Sequence, residues 1–139
     1  MRTDPTQRGL RQPQYVAVTE QHVSHVPKSL DMLQAGAAAV TGLTALQGVD
    51  DALHVKEGEA LLIFGASGPV GALAVQFAKR RQARVLATAS GRDAVTLVQD
   101  LGAHAVIDAR KGKFIEQLRA LVPGGLDAVL ALAGGDALE

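Results

Sequence analysis

Gly65-Ala66-Ser67-Gly68-Pro69-Val70-Gly71 joins two segments of different periodicity, and the reading of that junction decides the fold. Before it, Ala60-Leu61-Leu62-Ile63-Phe64 is a continuous apolar run, as a strand buried on both faces requires. After it, apolar residues fall at Val70, Leu73, Ala74, Phe77 and Ala78, a helical spacing that leaves Lys79 and Arg80 outside. Spaced glycines alone mark a plain turn with close helix packing. Between a buried strand and an amphipathic helix they point to a dinucleotide. Gly65 then ends the strand where the backbone must turn sharply, Gly68 lets a pyrophosphate approach without a Cβ, and Gly71 lets helix pack closely on strand. The phosphate charge would sit on the helix amino terminus, met by unpaired N–H groups and the positive end of the dipole. Pro69 suits the first helical turn at the loss of one N–H, and Ser67 can add a hydroxyl donor. Gly65, Ser67, Gly68, Pro69, Val70 and Gly71 are therefore candidate cofactor-binding residues.

Toward the carboxyl end the unit repeats. Residues 83–88 read as strand, 92–101 as helix, 105–107 as strand, 113–121 as helix and 126–130 as strand. Strands alternating with helices of this length imply a parallel sheet. The expected fold class is α/β, a Rossmann-type doubly wound parallel sheet with helices on both faces. It is truncated, because four strands are visible where the full sheet has about six. Toward the amino end, Lys56 to Glu59 makes a turn, Val40 to Leu53 a helix, and Leu30 to Ala38 another, with Ser29 as its N-cap and Asp31 in its first turn. Tyr15-Val16-Ala17-Val18 alternates weakly, as a short strand does, behind a loose polar arm of about ten residues. The expected division is an arm and remnant strand over 1–28 and a partial dinucleotide-binding domain over 29–139.

Cofactor choice is read at the end of the second strand, where an NAD-binding site places Asp or Glu on the ribose hydroxyls. No acid occurs between Gly71 and Arg92. Ser90 and Arg92 offer a hydroxyl and a cation where a 2′-phosphate would lie, which favours NADPH over NADH. Arg92 also suits a solvated helix start beside Asp93. A methyltransferase of related topology would want an acid where Ala89 stands. A short-chain dehydrogenase would need a tyrosine beyond the fourth strand, and the one tyrosine is Tyr15.

Taken in order, Ala37 to Ala45, Val55 to Glu59, the run from Gly65 to Lys79, Ala87 to Ser90 and Leu101-Gly102-Ala103 resemble the coenzyme domain of the medium-chain dehydrogenase/reductase superfamily, over about Gln14 to Gly135. The likeness is to its zinc-free quinone oxidoreductase and enoyl reductase branch. The resemblance implies hydride transfer from NADPH to a quinone, enone or similar carbonyl, with the cofactor supplying the chemistry. It also implies a Thr44 contact near the nicotinamide, although a helical threonine equally bonds its own backbone. Val40 stands where the zinc branch has a cysteine ligand, so no zinc is expected. Ala94 and Ala109 stand where many NADPH-using relatives have Lys and Tyr, which leaves Ser90, Arg92 and Arg110 for the phosphate. The family's catalytic domain is missing apart from its last strand at Tyr15 to Val18, so no catalytic acid or base is named. The rival reading is a dinucleotide-binding module without turnover.

Fourteen basic and fourteen acidic residues cancel, so no overall field favours nucleic acid or an anionic membrane. Aromatics at 3% exclude a stacking platform for single strands. Cysteine is absent, which removes disulfides and thiolate zinc sites. No apolar run approaches the roughly 20 residues that span a bilayer, and a cytoplasmic protein is the expectation. His22 and His25 are three apart but lie in a polar stretch that does not read as helix. They, His54 and His104 are read as surface or capping residues. Asp108, after the third strand, could approach the adenine side of the cleft or cap a turn. Ala133 and Gly134, before Gly135, fall at the same edge, where glycine permits close approach to a ribose. An exposed sheet edge would invite self-association into a homo-oligomer.

Overall fold

A computed structural model describes residues 15–108 and 112–134. Four strands, β1 (Ala60–Phe64), β2 (Arg84–Thr88), β3 (Ala105–Ile107) and β4 (Ala128–Ala131), form one sheet in the order β3-β2-β1-β4. Every pairing is parallel, with Leu62 opposite Leu86 and Val129, and Ala87 opposite Val106. The helices are α1 (Met32–Leu46), α2 (Pro69–Arg80), α3 (Arg92–Asp100) and α4 (Phe114–Leu121). The α/β parallel-sheet class expected from the sequence is the one observed.

The period of two along each strand sorts its side chains between two cores. Leu61, Ile63, Val85 and Ala87 pack with Ala45 of α1, Ala74, Val75 and Ala78 of α2 and Val98 of α3. Leu62, Phe64 and Leu86 face the other way, against Phe114, with Leu118 packed at the edge. The Phe64 and Phe114 rings meet edge to face, centroids 6.0 Å apart. All five β1 residues are buried, which is why its run carries no polar alternation. Each fully buried Val, Leu or Ile of this set contributes about 1.5–3 kcal/mol. With helices on both faces and β1 flanked by β2 and β4, the chain reverses its direction of winding beside β1. In such sheets ligands bind at that place, outside the carboxyl ends of the strands.

The amino-terminal part differs from its reading. Tyr15 to Val18 forms no strand. Tyr15 is 91% exposed, and none of the four strands pairs with it, so the alternation has no ladder to join. Glu20–His22 is a short 3-10 turn instead. The two expected helices are one. Asp31, not Ser29, caps it, accepting from Gln34 N–H at 2.7 Å while Gln34 Oε1 accepts the Asp31 N–H. Nothing between Ala38 and Val40 breaks the ladder, so α1 runs to Leu46 and continues as a π-helical turn, Gln47–Ala52. That turn carries Asp50, whose carboxylate takes two hydrogen bonds from Arg81 past the end of α2, the shorter 2.6 Å. The hydrogen bond and the charge of Asp50 together raise the Arg81 pKa. Of α1, Ala45 alone is buried, and Leu33, Val40 and Leu43 lie exposed along it.

Smaller shifts have local causes. β4 begins at Ala128 rather than 126, because Asp127 accepts the Ala60 N–H on Oδ2 at 2.7 Å and donates its own N–H to the Ala60 carbonyl, fixing the strand entry. α4 begins at Phe114, since Lys113 adopts a left-handed φ of 57°. The histidines behave as surface and capping groups: His54 Nδ1 bonds the Asp50 carbonyl, His104 Nδ1 accepts the Val85 N–H, and His22 and His25 are exposed.

Candidate functional site

The glycine turn is held from behind by one residue. Thr88, the last residue of β2 and 4% exposed, accepts the Gly65 N–H on Oγ1 at 2.9 Å and the Ala66 N–H on its carbonyl at 3.0 Å. The register explains it. Ile63 pairs with Ala87, so the last residues of the two strands, Phe64 and Thr88, come side by side at the turn. The sequence reading gave Thr88 no role of its own, only a place in the run Ala87 to Ser90. Its structural role was missed, though a buried β-branched hydroxyl at a central strand end is the signal that would have shown it. Thr88→Val is expected to leave the Gly65 N–H without its acceptor and to lower the unfolding free energy by about 1–3 kcal/mol. Urea denaturation measures this, and an unchanged midpoint would remove Thr88 from the account.

The three glycines are not equivalent. Gly65 has φ +86°, a conformation side chains resist, and a Cβ there would come within 3.0 Å of the Ala133 Cβ. A Cβ on Gly71 would stand 2.5 Å from the Gly65 carbonyl oxygen and 2.7 Å from the Ala66 Cα. Both are therefore demanded by the fold. Gly68 is not. Its φ is −74°, and a Cβ would meet only the Gly65 carbonyl, at an ordinary 3.5 Å. It is the N-cap of α2, followed by Pro69 in the first turn, and its own N–H bonds the Gly65 carbonyl at 3.2 Å. The amides of Val70 and Gly71 lie too near the helix start to reach an intrahelical carbonyl. No acidic side chain lies in that first turn, whereas Lys79 and Arg80 lie in the last. The positive end of the dipole is thus open to an anion, with the exposed Ser67 beside it.

The structure brings the other candidates to the same sheet edge in two groups. Leu132 N–H bonds the Phe64 carbonyl at 3.0 Å, which sets Ala133 against Gly65 and carries Gly134 to the switch between β1 and β4. Ser90 and Asp108 meet at the ends of β2 and β3, with Ser90 Oγ donating to Asp108 Oδ1 at 3.3 Å. Arg92 is the exposed first residue of α3 and makes no ion pair among the described residues. Arg110 and Ala109 lie outside the described residues, as does Gly135. Thr44 is exposed on α1 and donates its hydroxyl to the Val40 carbonyl at 2.8 Å, the backbone bond that a helical threonine favours. Three hollows, of about 410, 290 and 280 Å³, are lined by residues of the four helices and the turns beside them. No described helix is long and apolar enough to cross a membrane.

Comparison with known proteins agrees with this geometry. A family model described as zinc-binding dehydrogenase matches residues 69–139. The human NAD(P)H oxidoreductase RTN4IP1, mitochondrial, is 40% identical over 126 residues, covering 88% of this chain and 31% of the relative. The quinone oxidoreductase of Pongo abelii is 32% identical over 120 residues, covering 86% of this chain and 36% of its own. A mycobacterial protein solved in complex with NADPH superposes with a TM-score of 0.69 at 31% identity, over 75% of this chain and 32% of the other. The chain thus spans about a third of the length of these relatives. The sequence has no cysteine, and among the described residues no three His, Asp or Glu gather where they could hold a metal. A dinucleotide does fit, since the tip of the turn carries a glycine that the protein's own packing does not require. The matched model over the second half of the chain and the two relatives show that this chain belongs to the zinc-binding dehydrogenase family of the medium-chain dehydrogenase/reductase superfamily.

Proposed function

We propose that this chain is the dinucleotide-binding part of a zinc-free oxidoreductase that transfers hydride from NADPH to a quinone, enone or similar conjugated carbonyl. The observation that carries the reading is Gly68, a glycine at the turn's tip without a structural need, in front of a helix start with no acid of its own. The pyrophosphate would rest there on the Val70 and Gly71 amides and the Ser67 hydroxyl, with Ala133 and Gly134 giving the ribose a close approach. Ser90 and Arg92 would receive the 2′-phosphate, and Thr44 would lie toward the nicotinamide. The bound nicotinamide supplies the hydride, and these residues bind and orient it. The names of the two relatives, an NAD(P)H oxidoreductase and a quinone oxidoreductase, and the NADPH in the mycobacterial neighbour support this assignment.

Calorimetric titration of the purified chain with NADPH and with NADH tests it. NADPH is expected to bind more tightly, and Ser90→Asp to weaken NADPH by about tenfold or more, since a carboxylate then faces the phosphate. A folded chain that binds neither nucleotide refutes the reading. The rival reading from the sequence is a binding module without turnover. NADPH binding without consumption in the presence of a quinone would select it. Unpaired outer edges of β3 and β4 among the described strands suit self-association into a homo-oligomer, which sedimentation reads directly. Cell fractionation decides between the cytoplasm expected from the sequence and the mitochondrion of the human relative's name.

A further inference from the structure

The acid that β2 lacks reaches the same corner from β3. The Ala89 N–H, one residue past β2, bonds the carbonyl of Ile107, the last residue of β3, at 3.2 Å, and the residues that follow, Ser90 and Asp108, come side by side. Both are half-buried, with Ser90 Oγ donating to Asp108 Oδ1 at 3.3 Å. The sequence between Gly71 and Arg92 contains no Asp or Glu, yet in the folded chain a carboxylate stands beside the serine that would receive a ribose phosphate.

We propose that Asp108 is a specificity-determining residue for the cofactor's ribose, its carboxylate admitting the 2′-hydroxyl of NADH and opposing the 2′-phosphate of NADPH. The proposal rests on the reading of the site given above. A neutral 2′-hydroxyl can donate to a carboxylate, whereas a phosphate dianion within a few ångströms of it is repelled. Ser90 and Arg92 draw the 2′-phosphate in, and Asp108 holds that preference to a modest margin, so NADH is accepted as well.

The test is a calorimetric titration of the intact chain and of Asp108→Asn, each with NADPH and with NADH, after a circular dichroism check of folding. Asparagine keeps the shape and the acceptor for Ser90 while removing the charge. The ratio of the NADH to the NADPH dissociation constant is expected to rise by about tenfold, through tighter NADPH and weaker NADH. A side chain that only shapes the corner would shift both nucleotides together. A ratio unchanged within twofold, or moved the other way, overturns the proposal and leaves the dinucleotide site standing. If the unsubstituted chain binds neither nucleotide, the site reading and this inference fall together. Asp108→Ser, read by the same ratio, serves where the asparagine chain does not fold.

Discussion

Replacing Gly71 by alanine is expected to destabilise the chain by about 3 kcal/mol and to remove dinucleotide binding with it. Two effects oppose each other at this site. Gly71 lies in the first turn of α2, where alanine would ordinarily gain up to about 1 kcal/mol of helix propensity. Against that, its Cβ would stand 2.5 Å from the Gly65 carbonyl oxygen and 2.7 Å from the Ala66 Cα. Both obstacles are backbone, and neither can swing aside as a side chain tip would. Thr88 anchors the Gly65 and Ala66 amides, so the turn cannot retreat without breaking two hydrogen bonds. The clash therefore wins, and α2 must lift off β1 and loosen the packing of Ala74, Val75 and Ala78 on Leu61 and Ile63. Urea unfolding measures the loss. An alanine chain with the original midpoint would mean that α2 does not sit as close to β1 as described.

The parts legible in the sequence are those whose contacts lie on both sides of a short segment. β1 is buried on both faces, so its five apolar residues in a row are a local record of its surroundings. The glycine turn is likewise local, since Gly65, Gly68 and Gly71 act within seven residues of one another. β4 slid by two residues because Asp127, a residue that usually marks a loop, is tied to Ala60 across 67 positions. Tyr15 to Val18 has a strand's composition but no neighbour among the described strands, and a strand is defined by its neighbour. α1 reads as two helices although nothing between Ala38 and Val40 breaks it, and its π-helical continuation carries Asp50, whose partner Arg81 lies 31 residues on. The site shows the same division. The glycine turn between β1 and α2 was readable, whereas the meeting of Ser90 with Asp108 comes from strands that are neighbours only after folding.

Gly68→Val is expected to do the reverse of Gly71→Ala: stability falls by about 1 kcal/mol or less, and affinity for the dinucleotide falls by about a hundredfold. The backbone at Gly68, φ −74° and ψ 165°, is extended, a region β-branched residues adopt without strain. A Cβ there has one neighbour, the Gly65 carbonyl at 3.5 Å, which is ordinary contact. The small loss in stability comes from capping, where valine serves a helix start less well than glycine. The large loss in affinity comes from the place the side chain would take, in front of amides that an anion must reach closely to gain from the helix end. Thermal melting and NADPH titration on the same sample separate the two. Intact folding with lost binding marks Gly68 as a residue kept for the ligand. Intact folding with unimpaired binding would leave the proposed function without its main support, because a glycine serving neither packing nor pyrophosphate carries no information about either.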